Sequence, residues 1–156
     1  MFTKESDFET ALAALLTEHG WEKQILYNYT EQQLIQNWAD ILFENNRGKD
    51  RLNGCPLTEG EMQQLIEQIS ELKTPLKLNA FINGYNVMVK RDNQDDKEHY
   101  GKEVSLKIYD RMEIAAGQSR YQIVRQPRFS AKSKILNDRR GDMLLLINGM
   151  PVIHIE

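Results

Sequence analysis

Two carboxylates bracket the last hairpin of the sequence. The stretch GDMLLLINGMPVIHIE runs from Gly141 to Glu156 and reads as a strand, a tight turn and a second strand. Asp142 stands near its start and Glu156 at its end. A three-residue loop, Asn148-Gly149-Met150, sets Asp142 opposite Glu156, Leu144 opposite His154 and Leu146 opposite Val152. Residues two apart share a face, so these side chains all project from one side. Directly opposed Cβ atoms lie about 4.5–5.5 Å apart, close enough for two like charges to repel. A hard divalent cation offsets that repulsion. Mg²⁺ takes carboxylate oxygens at about 2.0–2.1 Å and keeps several waters. Such a water is a candidate nucleophile, and the metal can polarise a phosphoryl oxygen. A two-residue Asn-Gly turn shifts the register by one instead and sends the acids to opposite faces. Each is then a solvated strand end. His154 shares the expected carboxylate face, where a hydrogen-bonded structural histidine is the plainer reading.

A basic segment leads into this hairpin. Arg120, Arg125, Arg128, Lys132, Lys134, Arg139 and Arg140 face a single acid, Asp138, so seven bases against one acid leave a local charge of +6. The whole chain carries -3, which argues against a protein built wholly around nucleic acid. The segment is either a phosphate-contacting surface or a solvated loop face. Other chemistry is thin. No G-x-x-x-x-G-K-[ST] pattern occurs, so no phosphate loop for ATP is expected. The histidines are His19, His99 and His154, and none has a recognisable catalytic partner pattern. Cys55 is the only cysteine, which excludes an internal disulfide and reads as a reduced thiol in a cytoplasmic protein.

The elements that must position the carboxylates follow from periodicity. The chain has 156 residues, 40% hydrophobic and 28% charged, which fits one soluble domain with a real core. No apolar run approaches a membrane span, and the acidic start is not a secretory signal. Phe8, Leu12, Leu15 and Leu16 predict a first helix from Ser6 to His19, capped by Ser6 or Asp7 and stopped by Gly20. Trp21 to Tyr27 is a short strand or a loop. Thr30 caps a second helix to about Glu44, with Leu34, Ile35, Trp38, Ile41 and Leu42 inward. Thr58 and Glu61 form a capping-box signature for a third helix to about Leu72, with Met62, Leu65, Ile66 and Ile69 inward. Trp21 and Trp38 are expected in the core. After Pro75 the alternation predicts strands: a hairpin around Asn83-Gly84 in LKLNAFINGYNVMVKR, then KEVSLKIYD, RYQIVRQPRF and the final hairpin. DNQDDKE is expected to be a solvent-exposed loop without metal. Three helices followed by strands imply an α+β fold.

Four stretches, LIQNWADILFENNRGKDRLNG, GKEVSLKIYDRMEIAAGQSRYQIV, QPRFSAKSKILNDRRGD and LLLINGMPVIHIE, resemble the N-terminal part of the restriction (HsdR) subunit of type I restriction-modification enzymes, most closely the type IC group. The likeness extends over essentially all of residues 1–156. It implies an endonuclease domain of the PD-(D/E)XK class, a mixed β-sheet flanked by helices. In the family's motif an aspartate on one strand precedes a Glu-x-Lys triplet on the next. Asp142 matches the first and Glu156 the second, and the resemblance implies that both hold a catalytic Mg²⁺. The residue before the aspartate is glycine here, where the motif has proline. Such folds often add a glutamate from the first helix, and Glu9 stands where it could serve.

The family's lysine falls two residues beyond the glutamate, ahead of a helix with a Gln-x-x-x-Tyr pattern and ATP-driven translocase domains. The sequence ends at Glu156. The expectation is therefore an R-subunit fragment, incomplete at the C-terminal side of the fold, inactive alone and prone to self-association through an uncovered sheet edge. The implied partners are DNA and the methyltransferase and specificity subunits, with no membrane; ATP serves the full subunit and is not bound here. The competing reading is a non-catalytic fragment that docks on DNA or on partner subunits, and behind it a generic α+β interaction domain.

Overall fold

The computed structural model describes residues 4–82, 86–109, 112, 119–128 and 143–156. Its elements are α1 (Glu5–Glu18), β1 (Leu26–Tyr27), α2 (Glu31–Asn45), α3 (Glu59–Ser70), α4 (Pro75–Ile82), β2 (Asn86–Lys90), β3 (Glu103–Lys107), β4 (Tyr121–Arg125), β5 (Met143–Ile147) and β6 (Met150–Ile155). This is an α+β fold, as expected. Chain contacts divide it into two compact units, Met1–Gln36 with Arg120–Glu156, and Asn37–Ser119. Among the described residues no helix is long and apolar enough to cross a membrane.

The first unit is built on a four-stranded mixed sheet in the order β1-β4-β5-β6. β1 runs parallel to β4, and the remaining neighbours are antiparallel. Alternate residues serve opposite faces. Ile123, Met143 and Leu145 pack with Ala13 of α1, joined by Leu12, Leu16, Trp21, Ile25 and Ile155. Val124, Leu144 and Leu146 pack on the other face with Leu26 and Leu34, joined by Tyr29. The run MLLLI of β5 is apolar throughout because both of its faces are covered. β6 is the edge strand and is largely exposed at Val152 and Ile153.

α1 differs from its expected form in two respects. Lys4 is the N-cap and makes no side-chain cap bond; the Thr10 hydroxyl donates to the Ser6 carbonyl at 2.7 Å. The buried residues are Glu9 and Ala13, while Phe8 and Leu15 are 41% and 51% exposed. Only one helix face meets the sheet, and the small Ala13 allows the close approach. The stop at Gly20 holds, with φ +96. Thr30 accepts from the Gln33 N–H at 3.2 Å and its own N–H reaches Gln33 Oε1 at 2.9 Å, capping α2 as expected.

In the second unit the capping box forms: Thr58 accepts from Glu61 N–H, and Glu61 accepts from Thr58 N–H. The predicted hairpin around Asn83-Gly84 is not what precedes β2. Pro75–Ile82 is helical. Thr74 Oγ1 accepts from Lys77 N–H at 3.3 Å, and proline at the first helical position is pre-organised for it. The Thr-Pro start therefore outweighs a short alternation. Residues 83–85 lie outside the described residues. β2 pairs with β3, and the α3 amides of Gln64 and Gln68 bond its open edge at Lys90 and Met88.

DNQDDKE also differs from its expectation, because Asp96 is fully buried. Arg91, itself buried, donates to Glu61 Oε2 at 2.6 Å and Asp96 Oδ2 at 3.1 Å. Its Nη2 donates to the Cys55 carbonyl at 3.0 Å. Glu61 Oε1 accepts from the Asp92 and Asn93 backbone at 2.8 and 3.3 Å. Burial pushes the Asp96 carboxyl up, but hydrogen bonds from Asn53, Arg91 and His99 outweigh it and hold it below its ordinary value. Arg91→Met leaves two buried carboxylates without their cation. It is expected to lower unfolding free energy in urea by about 3–5 kcal/mol. Because the folded pKa of Asp96 is depressed, its contribution is fully present above about pH 4 and lost as pH falls through the folded value. Asp96→Asn should flatten that acid limb.

Candidate functional site

The β5–β6 hairpin turns on Asn148 and Gly149, at φ 51 and 83. Two consecutive left-handed residues are the signature of a two-residue type I′ turn, for which Asn-Gly is the preferred pair. Ile147 faces Met150 and Leu146 faces Pro151. The register then shifts between Leu145 and Leu146, so that Leu145 faces Ile153, Leu144 faces His154 and Met143 faces Ile155. Val152 is the extra residue of a bulge. The sequence offered two registers, and the hairpin uses both. The tight turn operates near the loop, and the bulge restores at the open end the pairing expected from the longer loop. Leu146 opposite Val152 is the one pair of that reading that does not form. Pro151 is the local cause: it has no N–H to give the ladder and is confined in sheets to edges and bulges.

Asn148 also fastens the turn to the neighbouring strand. Its N–H donates to the Arg120 carbonyl at 2.8 Å, and its Oδ1 accepts from the Arg120 N–H at 2.9 Å.

The antiparallel ladders bring the end of β4, the start of β5 and the end of β6 to one end of the sheet: Arg125 faces Met143, and Met143 faces Ile155. Glu156 follows Ile155 with its side chain 55% exposed, and Oε1 lies 4.0 Å from His154 Nδ1. Asp142 lies outside the described residues. Among the described residues no cluster of three or more histidine, cysteine, aspartate or glutamate side chains is arranged to hold a metal. The donor chemistry at this end nevertheless suits a hard cation. Glu156 supplies exposed carboxylate oxygens, and Mg²⁺ is commonly held by one or two carboxylates with water and phosphate completing its shell.

The basic segment is partly consumed by internal pairing. Arg120 grips Glu22 with Nε at 2.7 Å and Nη2 at 3.0 Å. Arg125 donates from Nε at 3.2 Å and from Nη2 at 2.8 Å to Glu9 Oε2. Both partners are far away in sequence, so a local charge count cannot register them. Arg128 is exposed, and its backbone is anchored by a bridge to Thr30. Lys132, Lys134, Asp138, Arg139 and Arg140 lie outside the described residues. Glu9 is buried and is engaged by arginine. Trp21 and Trp38 sit in the core as expected, Trp21 in an edge-on contact with Tyr121. Cys55 is a free, half-buried thiol.

Residues 2–156 match the family model for the type I restriction enzyme R protein N terminus. The chain is 31% identical over 160 residues to the endonuclease subunit of a type I restriction enzyme from Staphylococcus saprophyticus, covering 100% of this chain and 15% of that protein. It is 26% identical over 155 residues to the corresponding endonuclease subunits of Staphylococcus aureus strains COL and MSSA476, covering 99% of this chain and 15% of each. The chain thus spans 15% of the length of the curated relatives it matches.

A side chain at Gly149 would be forced into the left-handed region. Gly149→Ala is expected to cost about 1–2 kcal/mol in denaturant unfolding.

Proposed function

This chain belongs to the family of type I restriction enzyme R protein N-terminal regions, and on that premise we propose that it is the nuclease part of an R subunit, hydrolysing DNA phosphodiester bonds with Asp142 and Glu156 as its metal-holding carboxylates. The observation that carries the reading is the register at the open end of the hairpin. Met143 faces Ile155, and the same register, continued by one residue, joins 142 to 156. Carboxylates on such adjacent positions repel unless a cation stands between them. When bound, Mg²⁺ supplies an activated water and stabilises charge on the phosphate.

The protein's own residues have three tasks in this reading. Asp142 and Glu156 hold the ion at the sheet end. The β4–β5–β6 ladder fixes the spacing of their strands. Exposed bases, Arg128 first among the described residues, contact phosphate oxygens and so hold DNA without reading its sequence. Base recognition then falls to the specificity subunit, beside the methyltransferase subunit, and DNA movement to the ATP-driven translocase part of the full R subunit.

The test is cleavage of plasmid DNA by the intact restriction complex in Mg²⁺. Asp142→Ala and Glu156→Ala are each expected to reduce the rate by roughly 10²–10³-fold, with DNA binding retained. The 156-residue chain by itself is expected not to cleave. Wild-type rates in both variants would remove the carboxylates from the chemistry and leave a DNA- or subunit-docking part.

A further inference from the structure

Arg125 is the meeting point of three elements at the sheet end where β5 starts. From β4 it reaches α1 through Glu9 and through Thr10 Oγ1, the latter at 3.4 Å, and β1 through the Tyr27 hydroxyl at 3.3 Å. Its guanidinium also lies 5.6 Å from the Tyr27 ring centroid. The Arg125 and Glu9 side chains are only 12% and 3% exposed. Directly across the ladder is Met143, the residue that follows Asp142 in the chain.

The pairing has an unusual form. Arginine usually meets a carboxylate as a fork, one N–H to each oxygen. Here Nε and Nη2 converge on Glu9 Oε2, and Oε1 is buried without a hydrogen-bond partner among the described residues. A bare buried acceptor costs stability. A pair serving stability alone would turn the carboxylate to use both oxygens. Its placement instead follows the arginine, which is held against Tyr27 and beneath α1.

We infer that Glu9 and Arg125 are positioning residues for the site proposed above: the pair locks α1, β1 and β4 together beside Met143 and thereby sets where the β5 start presents Asp142. The inference rests on the nuclease reading. It gives Glu9 a role that acts through Arg125, without contact to metal or substrate.

The experiment uses the intact restriction complex and compares Glu9→Gln, Arg125→Met and the double variant, with Asp142→Ala as reference. Four readouts are taken: cleavage rate at saturating DNA, KM for DNA, the Mg²⁺ concentration for half-maximal rate, and the melting midpoint. Each single variant should cleave roughly 10–10²-fold more slowly, with KM and the Mg²⁺ requirement unchanged. The double variant leaves no buried charge unpaired, so it should melt close to wild type and still cleave slowly. A double variant that cleaves at the wild-type rate overturns the inference. So does a raised Mg²⁺ requirement or weakened Mn²⁺ binding in Glu9→Gln, which would make Glu9 a ligand. Slow Asp142→Ala with fast Glu9 and Arg125 variants sinks this inference alone, whereas fast Asp142→Ala sinks the nuclease reading beneath it.

Discussion

Burial of β4 and β5 on both faces is the constraint on which the first unit depends. Ile123, Val124, Met143 and Leu146 are fully buried, and Leu144 and Leu145 nearly so. A slip of one residue would exchange the residues that meet α1 for those that meet Leu34, and the two sets differ in shape. The sheet therefore has one register available through its centre. That rigidity carries to the edge strand, where β6 has little burial of its own to hold it. The bulge at Val152 reconciles a two-residue turn with the pairing that the buried strands impose further along. Turn chemistry and core packing act at different ends of the same hairpin, and the extra residue lets both be satisfied.

Charge is handled in both units by burying ion pairs. In the second unit Arg91 joins two carboxylates, and backbone and side-chain donors complete their hydrogen bonds. Such a network is worth little against a hydrophobic replacement, and much against the loss of one member. In the first unit Glu9 and Arg125 are buried with one oxygen unsatisfied. The contrast is informative: the complete network serves the loop it closes, and the incomplete one stands at the sheet end assigned to catalysis. Pairing of Arg120 and Arg125 with distant acids also reduces the basic surface that their segment presents, which shifts the weight of any phosphate contact toward Arg128 and the bases beyond it.

Family membership and the ladder support one another at a coarse level. Relatives are endonuclease subunits, and the sheet brings three strand ends together where an exposed glutamate stands. A carboxylate at an open sheet end can be reached by DNA, which a buried one cannot. The role of Asp142 and Glu156 in hydrolysis remains the proposal built on that geometry.

Local signals carried the parts of the fold that depend on a few adjacent residues. The capping boxes at Thr30 and Thr58, the stop at Gly20 and the left-handed turn at Asn148-Gly149 were all legible, because their partners lie within a few positions. Thr74-Pro75 and Pro151 were legible too, as a helix start and a bulge, but were outweighed by alternation and by loop length. Glu156 was visible as a residue type in a pattern, and the resemblance supplied its role. Tertiary structure alone decided which face of α1 is buried, that Asp96 is enclosed, and that Glu9 meets Arg125 and Glu22 meets Arg120 across separations of 116 and 98 residues. The reason is physical. Caps and turns are settled by short-range hydrogen bonds and backbone sterics, whereas a charge is paired or solvated according to what the packed sheet brings beside it.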